Sequence, residues 1–102
     1  MTSILKENQE KLAAICQKLG VERLDVFGSA VRNDFDSTVS DLDFVVRFVT
    51  PHGRGYADRY LELAEALERV FARRVDLLTE RSLRNPILKR AIARDRRTLY
   101  GN

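Results

Sequence analysis

The sequence has few of the features that mark exported or membrane-spanning proteins. It contains one cysteine, Cys16, so no internal disulfide can form, and this residue lies in an apolar helical pattern that predicts a buried thiol. No apolar run approaches the ~18 residues that a membrane-spanning helix needs, and the N-terminus shows no signal-peptide pattern. We therefore expect a cytoplasmic protein with no membrane contact. Repeats and low-complexity segments are also absent, and residues 1–102 are predicted to form a single domain.

The formal net charge of +3 is unevenly distributed along the chain. We call residues 81–102 the basic segment, because Asp95 is its only carboxylate. Its cationic residues are Arg81, Arg84, Lys89, Arg90, Arg94, Arg96 and Arg97. Such a segment can meet nucleic acid, the phosphates of a nucleotide or an acidic partner protein, or it can be a solvated helix face. Charge alone leaves these four interpretations open.

Apolar periodicity and turn residues predict an alternation of helices and strands. The predicted elements are a helix over 4–19, a strand over 21–27, a short helix over 29–32, a strand over 41–49, a helix over 56–72, a strand over 75–79 and a helix from Pro86. Residues 33–40 form a polar loop in this prediction. The nearly continuous apolar residues of 41–49 indicate a strand buried on both faces. This order predicts an α/β fold, with a small mixed sheet backed by helices.

The first predicted strand ends at a pair of small residues, Gly28 and Ser29. Glycine has no Cβ, so Gly28 permits a tight turn and a close approach to the backbone. The N–H groups at the start of the following helix, together with the Ser29 hydroxyl, can bind an anion. Arg32 adds a candidate phosphate contact. These three residues are therefore the candidate phosphate-binding residues.

Carboxylates occur at the second and third predicted strands. Asp41 and Asp43 are two residues apart, so on a strand they lie on the same face and repel each other. Asp76 lies on another short apolar run. Carboxylate oxygens are the ligands that Mg²⁺ prefers, and nucleotidyl transfer needs the charge of a polyphosphate to be neutralised. The sequence therefore predicts a catalytic site in which Asp41, Asp43 and Asp76 hold two Mg²⁺ ions.

These motifs together resemble the DNA polymerase β-like nucleotidyltransferase superfamily and, more narrowly, the minimal nucleotidyltransferases. The resemblance rests on the runs 27–32, 40–46 and 75–78 and covers essentially the whole chain. It implies a polymerase β-like nucleotidyltransferase fold and ATP as substrate. By resemblance, Gly28 and Ser29 match the phosphate-binding motif, Asp41 and Asp43 the metal-binding pair, and Asp76 the third carboxylate. The chain departs from the family pattern in having eleven residues between Ser29 and Asp41, where ten is typical.

Minimal nucleotidyltransferases are usually paired with a HEPN-domain protein in a toxin–antitoxin module. The resemblance therefore implies an antitoxin that transfers AMP from ATP to a tyrosine hydroxyl of the HEPN toxin and releases pyrophosphate. Two alternatives stay open. One is a catalytically silent antitoxin that neutralises a HEPN ribonuclease by binding alone. The basic segment would then be its docking surface. The other is a nucleotidyltransferase that acts on RNA or on a small molecule.

Overall fold

The protein contains a small mixed β-sheet. The strands are β1 Val21–Phe27, β2 Leu42–Phe48, β3 Val75–Thr79 and β4 Arg97–Tyr100. The computed structural model describes residues 3–32 and 41–101, and within them these strands form one sheet in the order β3–β2–β1–β4. Strand β1 runs antiparallel to β2 and β4, whereas β2 runs parallel to β3. The predicted mixed sheet is confirmed, while the loop predicted over 33–40 lies outside the described residues.

Helices and short turns connect the strands. They are α1 Ser3–Glu7, α2 Gln9–Leu19, a 3₁₀ turn Gly28–Ala30, α3 Tyr56–Phe71, a 3₁₀ turn Glu80–Ser82 and α4 Pro86–Asp95. Helix α4 starts at Pro86 as predicted, because the Asn85 side chain accepts hydrogen bonds from the first free N–H groups. Within 3–32 and 41–101, no helix has the length and apolar character needed to cross a membrane.

The structure differs from the sequence prediction near both ends of the chain. The single helix predicted over 4–19 is interrupted at Asn8, whose side-chain amide donates to the carbonyl of Ile4 at 2.8 Å. Such local side-chain hydrogen bonds compete with helix formation. Strand β4 was not predicted, because four residues are too few to show a period and half of them are exposed. Its pairing with β1, for example of Asp25 with Thr98, makes it a strand.

The main core lies between the sheet and helices α2 and α3. Phe44 of β2 stacks on Phe71 of α3 with ring centroids 5.9 Å apart. Val45, the next residue along β2, packs on the opposite face with Leu83 and with Ile92 of α4. The predicted burial of this strand on both faces is therefore confirmed. Cys16 is also buried as predicted, and burial raises the pKa of its thiol to about 12.

Helix α3 protects the outer edge of β3. The hydroxyl of Tyr60 donates a hydrogen bond to the carbonyl of Leu77, and the N–H of Val75 donates to Glu68 Oε2 at 3.2 Å. Because exposed strand edges tend to pair with other chains, side chains that bind these groups oppose pairing at this edge. The same contacts hold α3 against β3.

A buried ion-pair network joins β1 to Arg96, which follows α4, and to Glu80, which follows β3. The carboxylate of Asp25 is fully buried, and it accepts from Arg23 Nε at 2.9 Å and from Arg96 Nε at 2.6 Å. Arg96 also pairs with Glu80. Burial alone would raise the pKa of Asp25, but the hydrogen bonds from Arg23 and Arg96 lower it below its ordinary value. The charge of Asp25 is therefore stabilised only while its arginines are in place.

We expect Arg96→Met to lower the free energy of unfolding by about 3 kcal/mol, because it leaves a buried carboxylate short of one partner. The control is Arg94→Met, since Arg94 is exposed and has no ion-pair partner within the described ranges, and we expect it to change stability by less than about 0.5 kcal/mol. Urea denaturation at pH 7 measures both. Because the pKa of Asp25 is lowered in the folded state, the loss of unfolding free energy in Arg96→Met should become smaller as the pH falls below about 4. Equal stabilities of the two variants would contradict the stabilising role of the pair between Arg96 and Asp25.

Candidate active site

The predicted site residues meet where β1 ends and where β2 and β3 begin. In the register of the sheet, Asp43 pairs with Phe27 of β1 on one side and with Asp76 of β3 on the other. Phe44 points into the main core, so Asp43 points to the opposite face of the sheet. Strand β2 therefore places Asp43 between the turn at Gly28 and the carboxylate of Asp76.

Gly28 packs directly against the carboxylate of Asp43. Its φ is +78°, and a Cβ added there would lie 2.6 Å from Asp43 Oδ2. The backbone N–H groups of Val31 and Arg32 both donate to the carbonyl of Gly28, at 3.0 and 3.2 Å. The helix predicted over 29–32 is therefore a single 3₁₀ turn that starts one residue earlier, and half-buried Ser29 lies at its centre.

Negative charge concentrates around Asp43. Burial, the charge of Asp76, a hydrogen bond with Asp76 and the charge of Asp41 raise the pKa of Asp43 to about 6, against a smaller lowering by Arg32. Asp41 precedes β2, which begins at Leu42, and both Asp41 and Asp76 are exposed. All three predicted carboxylates and Arg32 are thus close enough to influence one another.

The candidate phosphate contact Arg32 lies beside the end of α4. Its Nη1 atom forms an ion pair with Asp95 Oδ2 at 2.6 Å, and its side chain is 52% exposed. In the sequence, Asp95 stands out only as the single carboxylate of the basic segment, and no partner is predicted for it. No signal in the sequence connects two residues that are 63 positions apart.

The donor chemistry of the site suits magnesium. Asp41, Asp43 and Asp76 offer only hard carboxylate oxygens, and a cation would favour the charged form of Asp43, which burial and the neighbouring carboxylates disfavour. Within 3–32 and 41–101, no set of three or more His, Cys, Asp or Glu side chains forms a group that would hold a metal ion as it stands. The carboxylates therefore fit a cation by charge and chemistry without forming a closed cage.

Tyr60 belongs to the helix predicted over 56–72, and its hydroxyl is within the electrostatic influence of the site. Burial, the neighbouring Tyr56 and the negative charge of Asp76 raise the pKa of the Tyr60 hydroxyl. Its position in the apolar stripe of α3 is typical of a core residue and gives no indication of a nearby carboxylate. Only the crossing of α3 over β3 brings it next to Asp76.

Comparisons with known proteins agree with this geometry. A family model described as nucleotidyltransferase domain matches residues 9–99. One relative, named as a candidate protein adenylyltransferase of Methanocaldococcus jannaschii, is 36% identical over 78 residues, 76% of each chain. Another of the same name and organism is 38% identical over 85 residues, which are 83% of this chain and 86% of the relative.

Solved structures share the fold. One described as a candidate minimal nucleotidyltransferase superposes with a TM-score of 0.73 at 31% identity, over 91% of this chain and 90% of that chain. A toxin–antitoxin structure with AMP-PNP gives a TM-score of 0.69 at 21% identity, over 93% of this chain and 74% of that chain, and shows likeness of fold alone. Because the family model spans most of the chain and the relatives exceed 30% identity, the protein belongs to the nucleotidyltransferase domain family and is a nucleotidyltransferase.

Proposed function

We propose that the protein is the antitoxin of a toxin–antitoxin pair and that it transfers AMP from ATP to a tyrosine hydroxyl of a HEPN toxin. The observation that carries this proposal is the meeting of Gly28, Asp43 and Asp76 at one point of the sheet. Two comparisons support it. The sequence relatives are named as candidate protein adenylyltransferases, and one structure of similar fold is described as a tri-AMPylated HEPN toxin of Shewanella oneidensis in complex with its MNT antitoxin, at 20% identity and a TM-score of 0.65.

The reaction breaks a phosphoanhydride bond of ATP and forms a phosphoester bond to the tyrosine oxygen. The tyrosine oxygen bonds to the α-phosphorus of ATP, the bond from that phosphorus to the bridging oxygen breaks, pyrophosphate leaves and the hydroxyl proton passes to solvent. Gly28 and Ser29 bind the departing phosphates through backbone N–H groups and a hydroxyl. Asp41, Asp43 and Asp76 would hold Mg²⁺, which when bound neutralises the triphosphate and makes the attacking hydroxyl more acidic.

Arg32 supplies a positive charge on the phosphate side of the site. In the structure it pairs with Asp95, and a half-exposed pair of this kind stabilises the fold by at most about 1 kcal/mol. A triphosphate carries far more negative charge than one carboxylate, so Arg32 can turn from Asp95 to the nucleotide at little cost. The ion pair then serves to keep the side chain close to the phosphates.

The direct test is the intact mass of a HEPN toxin after incubation with this protein, ATP and Mg²⁺. We expect mass increments of AMP, which disappear in the Asp41→Ala/Asp43→Ala double variant because two of the three carboxylates that would hold the metal are lost. Glu10→Gln, an exposed carboxylate on α2, is the matched control and should transfer AMP normally. Replacing the toxin by RNA in the same assay tests the RNA acceptor.

Neutralisation by contact alone is the second candidate function. It is favoured by α4, which leaves Ile87 78% and Leu88 44% exposed beside the cations of the basic segment. An apolar pair surrounded by arginines is a common composition for a protein interface. A toxin of unchanged mass that the double variant still inhibits would establish this function in place of AMP transfer.

Gly28→Ala should abolish most AMP transfer, by about 100-fold or more, because the added Cβ displaces the Asp43 carboxylate. The control is Gly53→Ala, since Gly53 has a similar φ of +82° but open space at its Cβ position. Both variants should lose about 1 kcal/mol of stability from the left-handed backbone. Initial rates of AMP transfer and thermal unfolding separate the two effects, and an equal loss of activity in both variants would contradict a specific role for Gly28.

Asp43→Asn should stabilise the metal-free protein at pH 7.5 by about 1 kcal/mol, a value reduced for the partial exposure of the site. The folded state raises the pKa of Asp43 to about 6, so folding binds a proton and stability falls as the pH rises from about 4 to 6. The gain should shrink towards pH 4 and vanish near pH 3, where the carboxyl is protonated in both the folded and the unfolded state. Urea denaturation over this pH range measures it. Asp58→Asn is the control. A gain in the stability of Asp43→Asn that does not depend on pH would contradict the raised pKa of Asp43 as its cause.

A further inference from the structure

An apolar pocket of about 510 Å³ lies between helix α3 and strand β3. We call it the α3–β3 pocket. Tyr60 and Leu61 of α3 are among the residues that line it, and so are Leu77 and Leu78 of β3. Leu61 is 56% exposed, so a large hydrophobic side chain faces solvent here. The pocket therefore offers apolar surface that the described part of the chain leaves open.

A second hollow, of about 480 Å³, adjoins this pocket and is basic. We call it the arginine hollow, because Arg81 and Arg84 line it. Tyr56, Thr79 and Ser82 line both spaces, so the two lie side by side. One ligand can therefore contact apolar surface in the pocket and positive charge in the hollow.

The positive charge of the arginine hollow is not neutralised within the described residues. The carboxylate that precedes it in the chain, Glu80, pairs with Arg96 instead. Arg81 Nη1 donates to the carbonyl of Pro51, which holds this side chain in place without neutralising it. Arg84 is exposed, and within 3–32 and 41–101 its side chain has no ion-pair partner. Guanidinium groups in this state favour a carboxylate or a phosphate as ligand.

The polar groups that line the α3–β3 pocket are already engaged. The Tyr60 hydroxyl donates to the carbonyl of Leu77, and the Ser82 hydroxyl donates to the carbonyl of Thr79 at 2.8 Å. The Thr79 hydroxyl oxygen accepts from the N–H of Ser82 at 3.2 Å. The base of a nucleotide needs partners for its ring nitrogens and amino or carbonyl groups, and these residues offer few. The lining therefore suits an aliphatic or phenyl side chain better than a base.

The pocket is separate from the carboxylate site. Leu77 belongs to the main core, which lies on the side of the sheet that α3 covers. Because side chains alternate along a strand, Asp76 points to the opposite face, as its neighbour Asp43 does. A molecule in the pocket therefore leaves these carboxylates accessible.

We propose that the α3–β3 pocket and the arginine hollow together form a docking site for an acidic segment of a partner protein. A large apolar side chain of that segment enters the pocket, and an adjacent Asp or Glu pairs with Arg81 and Arg84. RNA would supply phosphates to the arginines but only polar bases to the pocket, so its fit is poorer. The proposal does not depend on AMP transfer, because the docking site and the carboxylates lie on different faces of the sheet.

The test is a nuclear magnetic resonance titration of the ¹⁵N-labelled full chain with three capped peptides. They are acetyl-Phe-Asp-Asp-amide, acetyl-Phe-Asn-Asn-amide and acetyl-Ala-Asp-Asp-amide. The first should give saturable shifts at the amides of Leu61, Ser82 and Arg84, with a Kd of about 1 mM, as expected for a short peptide in an open site. The other two should bind at least about threefold more weakly, because each lacks one half of the contact. Raising NaCl from about 0.05 to about 0.5 M should weaken only the acidic peptides.

Two pairs of variants assign the halves of the contact. Arg84→Ala should weaken binding of acetyl-Phe-Asp-Asp-amide about threefold and leave that of acetyl-Phe-Asn-Asn-amide unchanged, whereas Arg90→Ala, an exposed arginine on α4, should change neither. Leu61→Asn should weaken both phenylalanine peptides about threefold. Its control is Val49→Asn, since Val49 is 67% exposed at the end of β2 and lies outside the docking site. All four residues are exposed, so the variants should fold.

Three results would overturn the docking site: no saturable shift with acetyl-Phe-Asp-Asp-amide, equal binding of all three peptides, or unchanged binding in both Arg84→Ala and Leu61→Asn. Tighter binding of a uridine hexanucleotide at the same amides would assign the surface to RNA instead. The Asp41→Ala/Asp43→Ala double variant should bind the acidic peptide normally, and a loss there would contradict the separation from the carboxylate site. Absence of AMP transfer together with normal peptide binding counts against the proposed function alone.

Discussion

The pairing of β2 between β1 and β3 is the constraint on which the site depends. It holds the carboxylate of Asp43 beside Gly28 and Asp76, where burial and the neighbouring negative charges together raise the pKa of Asp43. The apolar residues of β2 oppose this cost because they are buried on both faces. A shift of register by one residue would move every side chain of the strand to the wrong face. The core thus maintains an electrostatically unfavourable arrangement that a cation would relieve.

The basic segment divides into a structural part and a surface part. Arg96 is used internally, where it pairs with the buried Asp25 and with Glu80, and Asp95 pairs with Arg32, which follows the turn Gly28–Ala30. Arg90 and Arg94 instead face outward on α4. A high density of positive charge in a sequence therefore does not by itself define a binding surface, since some of the cations complete the fold.

The carboxylate site is open to solvent. Asp41 and Asp76 are exposed, and Asp43 between them is half-buried. Helices α2 and α3 cover one face of the sheet and α4 packs on the other, yet they leave Asp41 and Asp76 exposed. A nucleotide can therefore reach these carboxylates without a rearrangement of the core.

The amino-acid sequence by itself determined the strands β1 and β3, the long helix α3, and the residues of the candidate site, because apolar periodicity and glycine or proline breaks are local properties. It did not determine strand β4, the break at Asn8, the burial of Asp25 or the partner of Arg32. Each of these depends on which distant segments pair, and a charged residue on a short strand has the same local pattern whether it is solvated or buried against an arginine. Only the tertiary structure decided that Arg96 reaches Asp25, that Asp95 reaches Arg32 and that the charge of Asp76 acts on Tyr60. These interactions join residues that are distant in the sequence, and the packing of strands and helices brings them together.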